Sequence, residues 1–166
     1  MILPLFFFGK NSYYGFMEKK EFITNSLEET QKLAGELARN LGGGEIVCLH
    51  GELGAGKTTF TQGLLAELGA EGPYTSPTFL IMKQYDIKSK INALQTKSHK
   101  LRTIYHIDAY RISEQDLMNL GWEEIAGNKN NIIILEWPER VKKILPEDRT
   151  EIWFEWIDEN KRKIIF

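Results

Sequence analysis

Gly51-Glu52-Leu53-Gly54-Ala55-Gly56-Lys57-Thr58 combines residue types that together can hold an anion. Glycines let consecutive backbone N–H groups turn inward, a lysine brings a positive charge, and a hydroxyl is a hard oxygen ligand for Mg²⁺. The stretch fits the phosphate-loop pattern G-x-x-x-x-G-K-[ST] without a mismatch, so the chemistry is that of a nucleoside triphosphate. Lys57 is expected to reach the β and γ phosphates, and Thr58 the metal.

Such a loop works only where it follows a strand and opens a helix. Glu45-Ile46-Val47-Cys48-Leu49-His50 is a short apolar run after three glycines, as a buried strand requires. Downstream, Phe60, Leu64, Leu65 and Leu68 recur at helical spacing, and Gly69 is a suitable stop. The helix would point its unpaired N–H groups and positive dipole end at the phosphates.

Hydrolysis needs, besides the loop, an acid at the tip of a neighbouring apolar strand, to hold Mg²⁺ or to orient water. Glu136 ends Ile132-Ile133-Ile134-Leu135, and Asp108 ends Thr103-Ile104-Tyr105-His106-Ile107. Ligands of open α/β sheets bind at such C-terminal strand ends. The bland alternative for each is a solvated strand-end acid. Thr78, between Pro77 and Phe79, is either a switch-like hydroxyl for the γ-phosphate or metal, or a plain turn residue. Trp137 either packs near the nucleotide or serves as an ordinary core aromatic. His50 and His106 read as packed or hydrogen-bonded residues, and no His/Cys metal cluster is visible.

Read in order, Glu21 to Thr24 is an edge strand, and Ser26 with Glu29 forms a capping box. It opens a helix with Leu27, Leu33, Ala34, Leu37, Ala38 and Leu41 on its apolar face. Phe79 to Asp86 and Arg102 to Asp108 read as strands joined by a long lysine-rich hairpin loop over 87–101. Ser113 caps a short helix stopped by Gly121, followed by a further turn over Trp122 to Ile125. Asn131 to Glu136, the most apolar run, is expected to be a central parallel strand. Pro138 starts a short helix that Pro146 ends, and Glu151 to Ile157 with Lys161 to Phe166 form a closing hairpin. The pattern specifies an α/β, three-layer sandwich of the phosphate-loop class, its sheet mixed but largely parallel, with antiparallel hairpins.

Composition narrows the function classes further. A formal charge of −2 gives no general attraction to nucleic acid or anionic membrane. One cysteine excludes an internal disulfide; Cys48 reads as a small buried residue and fits a reducing cytoplasm. Met1 to Phe8 is apolar yet too short to span a bilayer, and has neither a basic segment before it nor a cleavage site after it. Residues 1–17 are read as an N-terminal extension outside the core, the alternative being that Phe6 to Phe8 pack as an extra edge element, and 18–166 as one domain.

Gly51 to Thr59, Ser76-Pro77-Thr78-Phe79, His106-Ile107-Asp108-Ala109-Tyr110-Arg111 and Glu136-Trp137-Pro138 together resemble, in order and spacing, the motif set of the TsaE family. The resemblance extends over about residues 20 to 157. It implies a small bacterial ATPase, with ATP and Mg²⁺ as cofactors, that acts with TsaB and TsaD. In that system TsaD transfers threonylcarbamoyl to the adenosine beside the anticodon of tRNA. The resemblance further implies Lys57 on the phosphates, Thr58 on Mg²⁺, Thr59 as a phosphate-side contact, Asp108 and Glu136 as the acidic pair, and Thr78 as switch-like. The extension and the 87–101 loop depart from the family pattern; the loop lysines either meet tRNA in the assembly or are merely solvated.

Rival readings remain at this level. A small-molecule kinase would need an acceptor pocket and an arginine-rich lid, and Arg111 is the sole arginine within a motif. A GTPase would read guanine with N-K-x-D, but Asn128-Lys129-Asn130-Asn131 lacks the final carboxylate. A non-catalytic nucleotide sensor would keep the loop and lose turnover.

Overall fold

The computed structural model describes residues 19–77, 80–87 and 103–166. Thr78, the 1–17 extension and all of the 87–101 loop except Ile87 lie outside the described residues. The strands are β1 (Glu21–Thr24), β2 (Ile46–His50), β3 (Met82–Asp86), β4 (Thr103–Asp108), β5 (Asn131–Glu136), β6 (Thr150–Trp156) and β7 (Arg162–Ile165). They form one sheet in the order β1-β7-β6-β2-β5-β4-β3. The pairings at its centre, β6-β2, β2-β5 and β5-β4, are parallel. The flanking pairs β1-β7, β7-β6 and β4-β3 are antiparallel. β5 is buried at every position, which is why its sequence is a continuous apolar run and not an alternating one.

Each face of the sheet carries its own layer. On one, α1 (Leu27–Ala38) and α2 (Lys57–Glu67) lay Leu33, Leu37, Phe60, Leu64 and Leu65 over the side chains of the central strands. On the other, α3 (Glu114–Asn119), α4 (Trp122–Gly127) and a 3₁₀ helix (Pro138–Ile144) cover Cys48, Ile107, Ile133 and Leu135 with Leu117, Trp122, Ile125 and Val141. Cys48 is fully buried, and that burial pushes its thiol up to about 12, consistent with an inert packing residue.

Three details differ from the sequence reading. Ser26 does cap α1 by accepting from Glu29 N, but the Glu29 carboxylate accepts from Asn25 N instead of closing the box on Ser26. Leu27, assigned to the apolar face, is exposed, because the first residue of α1 precedes the turn that meets the sheet. β3 starts at Met82, and Leu80 before it is exposed: Leu80 N and Ile81 N both donate to Pro77 O, turning the chain before the strand begins. The complete capping box lies at α3, between Ser113 and Asp116.

Candidate active site

The phosphate loop runs from the tip of β2 to the first turn of α2. Gly51 and Gly56 have φ of 136° and 106°, conformations that L side chains rarely adopt. A Cβ on Gly51 would also lie 2.5 Å from Phe154 O. The glycine spacing is thus a backbone requirement, met in the ordinary way by residues without a side chain. Thr59 stands half-buried in the first turn of α2, while Glu52, Leu53 and Gly54 are exposed on the loop.

Two-residue periodicity explains how the acids meet the loop. On β4, Ile104, His106 and Asp108 share one face; on β5, Ile132, Ile134 and Glu136 do. Ile104, Ile132 and Ile134 pack in the core under α1 and α2, so Glu136 and Asp108 emerge on the side where α2 begins. The strands are parallel and in register, with Asp108 directly opposite Glu136. Ala109 N donates to Glu136 O, which pins the two tips together, and Asp108 N donates to Ile81 O just before β3.

Glu136 is the hub. Thr58 Oγ1 donates to its Oε1 at 3.1 Å and lies 3.3 Å from Oε2. His106 Nε2 is 2.9 Å from Oε1 and donates to it in the Nε2–H tautomer. Glu136 is 3%, Asp108 5%, Lys57 5% and His106 1% exposed, so the polar groups at this point are withdrawn from water. Buried polar groups of this kind persist only where they find partners. Asp108 Oδ1 accepts from Tyr110 N at 3.0 Å, closing a local turn.

Lys57 Nζ donates to Gly51 O at 2.5 Å and to Glu52 O at 2.9 Å. It lies 4.0 Å from the ring centroid of Trp137, within cation–π range. Trp137 itself adopts φ 60°, ψ 48°, a left-handed conformation that is uncommon for a bulky residue. Its ring also packs against Tyr110 with centroids 4.8 Å apart. Burial pushes the Lys57 ammonium below the ordinary lysine range, and the carboxylates of Glu136, Glu139, Asp108 and Glu52 pull it back in part.

The structure therefore gathers Lys57, Thr58, Asp108, Glu136 and Trp137 at one end of the sheet. Sequence reasoning missed His106 as a partner of Glu136. The signal was present, because His106 stands two residues before Asp108 and so on the same strand face. His50 is hydrogen-bonded as expected, its ring set between Glu151 and Glu139 and stacked on Trp153. Asn131, the last residue of the guanine-like motif, starts β5 at the end away from Glu136 and donates to Ile125 O.

A family profile described as threonylcarbamoyl adenosine biosynthesis protein TsaE matches residues 24–164. The chain belongs to the TsaE family. It is 40% identical over 142 residues to the tRNA threonylcarbamoyladenosine biosynthesis protein TsaE of Rickettsia felis, covering 84% of this chain and 75% of that protein. With the Aquifex aeolicus protein of the same name it shares 40% over 147 residues, covering 87% and 93%. The crystal structure of Bacillus subtilis YdiB superposes with a TM-score of 0.69 at 27% identity, covering 92% of this chain and 87% of that one. The α/β architecture of this TsaE-family chain is thus shared with a solved structure.

The donors at the site suit magnesium. Thr58 Oγ1, Glu136 and Asp108 offer hard oxygens beside the phosphate loop. Among the described residues no group of three or more His, Cys, Asp or Glu side chains forms a ready-made metal site. Mg²⁺ fits such a sparse set, since it binds through one or two carboxylates plus phosphate oxygens and water.

Proposed function

We propose that this chain is a Mg²⁺-dependent ATPase of the tRNA threonylcarbamoyladenosine system, working in the cytoplasm with TsaB and TsaD on the modification of tRNA. The observation that carries the reading is the bond from Thr58, the hydroxyl of the phosphate loop, to Glu136, the acid at the tip of the neighbouring strand. Loop N–H groups and Lys57 hold the triphosphate, and Thr58, Glu136 and Asp108 hold the cation and orient water. Bound magnesium would neutralise charge on the phosphate oxygens. Trp137 packs against Lys57 on the nucleotide side. The names of the relatives support the tRNA role. ATP is preferred over GTP because the guanine-like asparagine stands at the wrong end of β5, roughly 16 Å of strand away from Glu136. No helix among the described residues is long and apolar enough to cross a membrane.

Phosphate release from ATP, with and without Mg²⁺, tests the reading. Slow hydrolysis by the chain alone and dependence of sustained tRNA modification by TsaB and TsaD on its presence are expected. Lys57→Ala should abolish measurable nucleotide binding, whereas Glu136→Gln should keep binding within a few-fold and reduce turnover by about 100-fold or more. Unchanged turnover in Glu136→Gln would remove that residue from the mechanism, and undetectable hydrolysis under all conditions would leave a nucleotide sensor.

A further inference from the structure

The last residue of β2, immediately before the phosphate loop, is His50. It stands two positions after Cys48, so its side chain lies on the sheet face that the 3₁₀ helix covers. There the ring stacks on Trp153 of β6, with centroids 5.0 Å apart and an interplanar angle of 11°. Its two nitrogens face two carboxylates from different elements: Nε2 is hydrogen-bonded to Glu151, and Nδ1 lies 3.3 Å from Glu139 Oε2. A neutral imidazole donates at one nitrogen only, whereas a ring with hydrogen on both can hold both acids.

Glu151 is the fixed end of this bridge, because Arg149 Nε donates to its Oε1 at 2.6 Å from behind. Burial pushes the Glu151 carboxyl up, but the bonds from His50 and Arg149 outweigh it and hold the group below the ordinary carboxylate range. Glu139 is the other end, in the first turn of the 3₁₀ helix and two residues after Trp137. Trp137 carries the ring that lies over Lys57, and its left-handed backbone persists only where the surroundings hold it. Trp137 N reaches Leu49 O, next to His50, at 3.3 Å, and Arg140 N closes the turn on Trp137 O at 3.1 Å. The contact between His50 and Glu139 therefore fastens the turn that carries Trp137 to the strand that carries the phosphate loop.

We infer that His50 is a positioning residue, anchored to β6 by Glu151 and holding, through Glu139, the turn that sets the Trp137 ring over Lys57. This rests on the ATPase reading above, since the group finally positioned is the ammonium that meets the β and γ phosphates. A lysine slightly out of place loses more where charge develops during phosphoryl transfer than in the bound ground state. The effect of His50 therefore falls on turnover more than on affinity.

Phosphate release, MgATP binding by calorimetry and amide hydrogen exchange of the full chain read this bridge at three points. His50→Phe keeps a flat ring on Trp153 and removes both nitrogens, and Glu139→Gln keeps the shape of the second acid and removes its charge. Each is expected to lower turnover by about tenfold and to leave MgATP affinity within about threefold. Exchange should quicken at the Trp137 and Arg140 amides and stay unchanged across β5. In a Trp137→Ala background, His50→Phe should alter turnover by less than about twofold, a coupling that a residue acting only on overall stability would not show. Should His50→Phe fail to fold, Glu139→Gln, at a side chain 47% exposed, carries the same test. Undiminished turnover in the single variants, unchanged exchange at Trp137 and Arg140, or full additivity of His50→Phe with Trp137→Ala would overturn the assignment. If the wild-type chain hydrolyses no ATP, the ATPase reading fails and takes this one with it; if it does and the variants match it, only the role of His50 fails.

Discussion

Glu136 sits almost wholly out of water and still accepts from two side chains, Thr58 and His106, that arrive from different elements. A carboxylate so held has its direction set by its neighbours, which is how catalytic groups gain orientation at no further loss of freedom. His106 does this from inside the sheet, and its Nδ1 has no partner among the described residues. His106→Leu keeps the bulk but removes the donor. It should slow ATP turnover by about 10–100-fold with a smaller change in nucleotide affinity, the pattern of a lost supporting partner. His106→Gln, which can still donate, should recover part of the rate. Steady-state kinetics alongside direct binding measure the split, and a parallel fall in both would make His106 a general stability residue.

Between elements, α1 and α2 pack closely. A Cβ on Gly63 would stand 2.4 Å from Gln31 O and 2.7 Å from Gln31 Cα, backbone atoms that cannot step aside. On Gly35 the nearest atom would be Glu67 Oε2 at 3.4 Å, the free end of a side chain. Alanine in a helix interior is ordinarily worth about 1 kcal/mol over glycine, so context decides the sign. Gly35→Ala should be neutral or stabilising. Gly63→Ala should cost about 1–3 kcal/mol by overpacking, a melting point lower by roughly 2–4 °C per kcal/mol. Differential scanning calorimetry of the two variants tests this, and equal shifts would refute it. The Arg39–Glu67 ion pair that also links these helices is exposed and contributes little beside that contact.

At the scale of the molecule, the two ends of the described chain are joined: Lys20 N donates to Phe166 O and Phe166 N to Lys20 O. β7, last in sequence, lies between β1 and β6, and its Ile164 is fully buried. Removing residues 161–166 would strip β1 of its only strand neighbour among the described residues and remove the Phe22–Phe166 contact. Burial of Ile164 alone is worth about 1.5–3 kcal/mol, a large part of a typical domain's net stability. The truncated chain should therefore lose its cooperative thermal transition, followed by circular dichroism. A sharp transition near that of the full chain would show β7 to be dispensable.

What the residue order settles by itself is whatever depends on short-range chemistry. The phosphate loop requires glycines at positions of positive φ, strand and helix follow from apolar periods of two and 3.6, and Ser113 caps its helix through a group three residues away. The same local rules placed Asp108 and Glu136 at strand tips. Local rules failed at Glu29, where one residue's shift of a carboxylate leaves the box open, and at Leu27, where helical spacing said nothing of which turn meets the sheet. Only the tertiary structure brought Thr58 to Glu136, 78 residues away, His106 to the same carboxylate, Lys57 under Trp137, and Arg162 onto Gly56. Those contacts depend on strand order and register, which are fixed by packing the whole sheet between its helical layers.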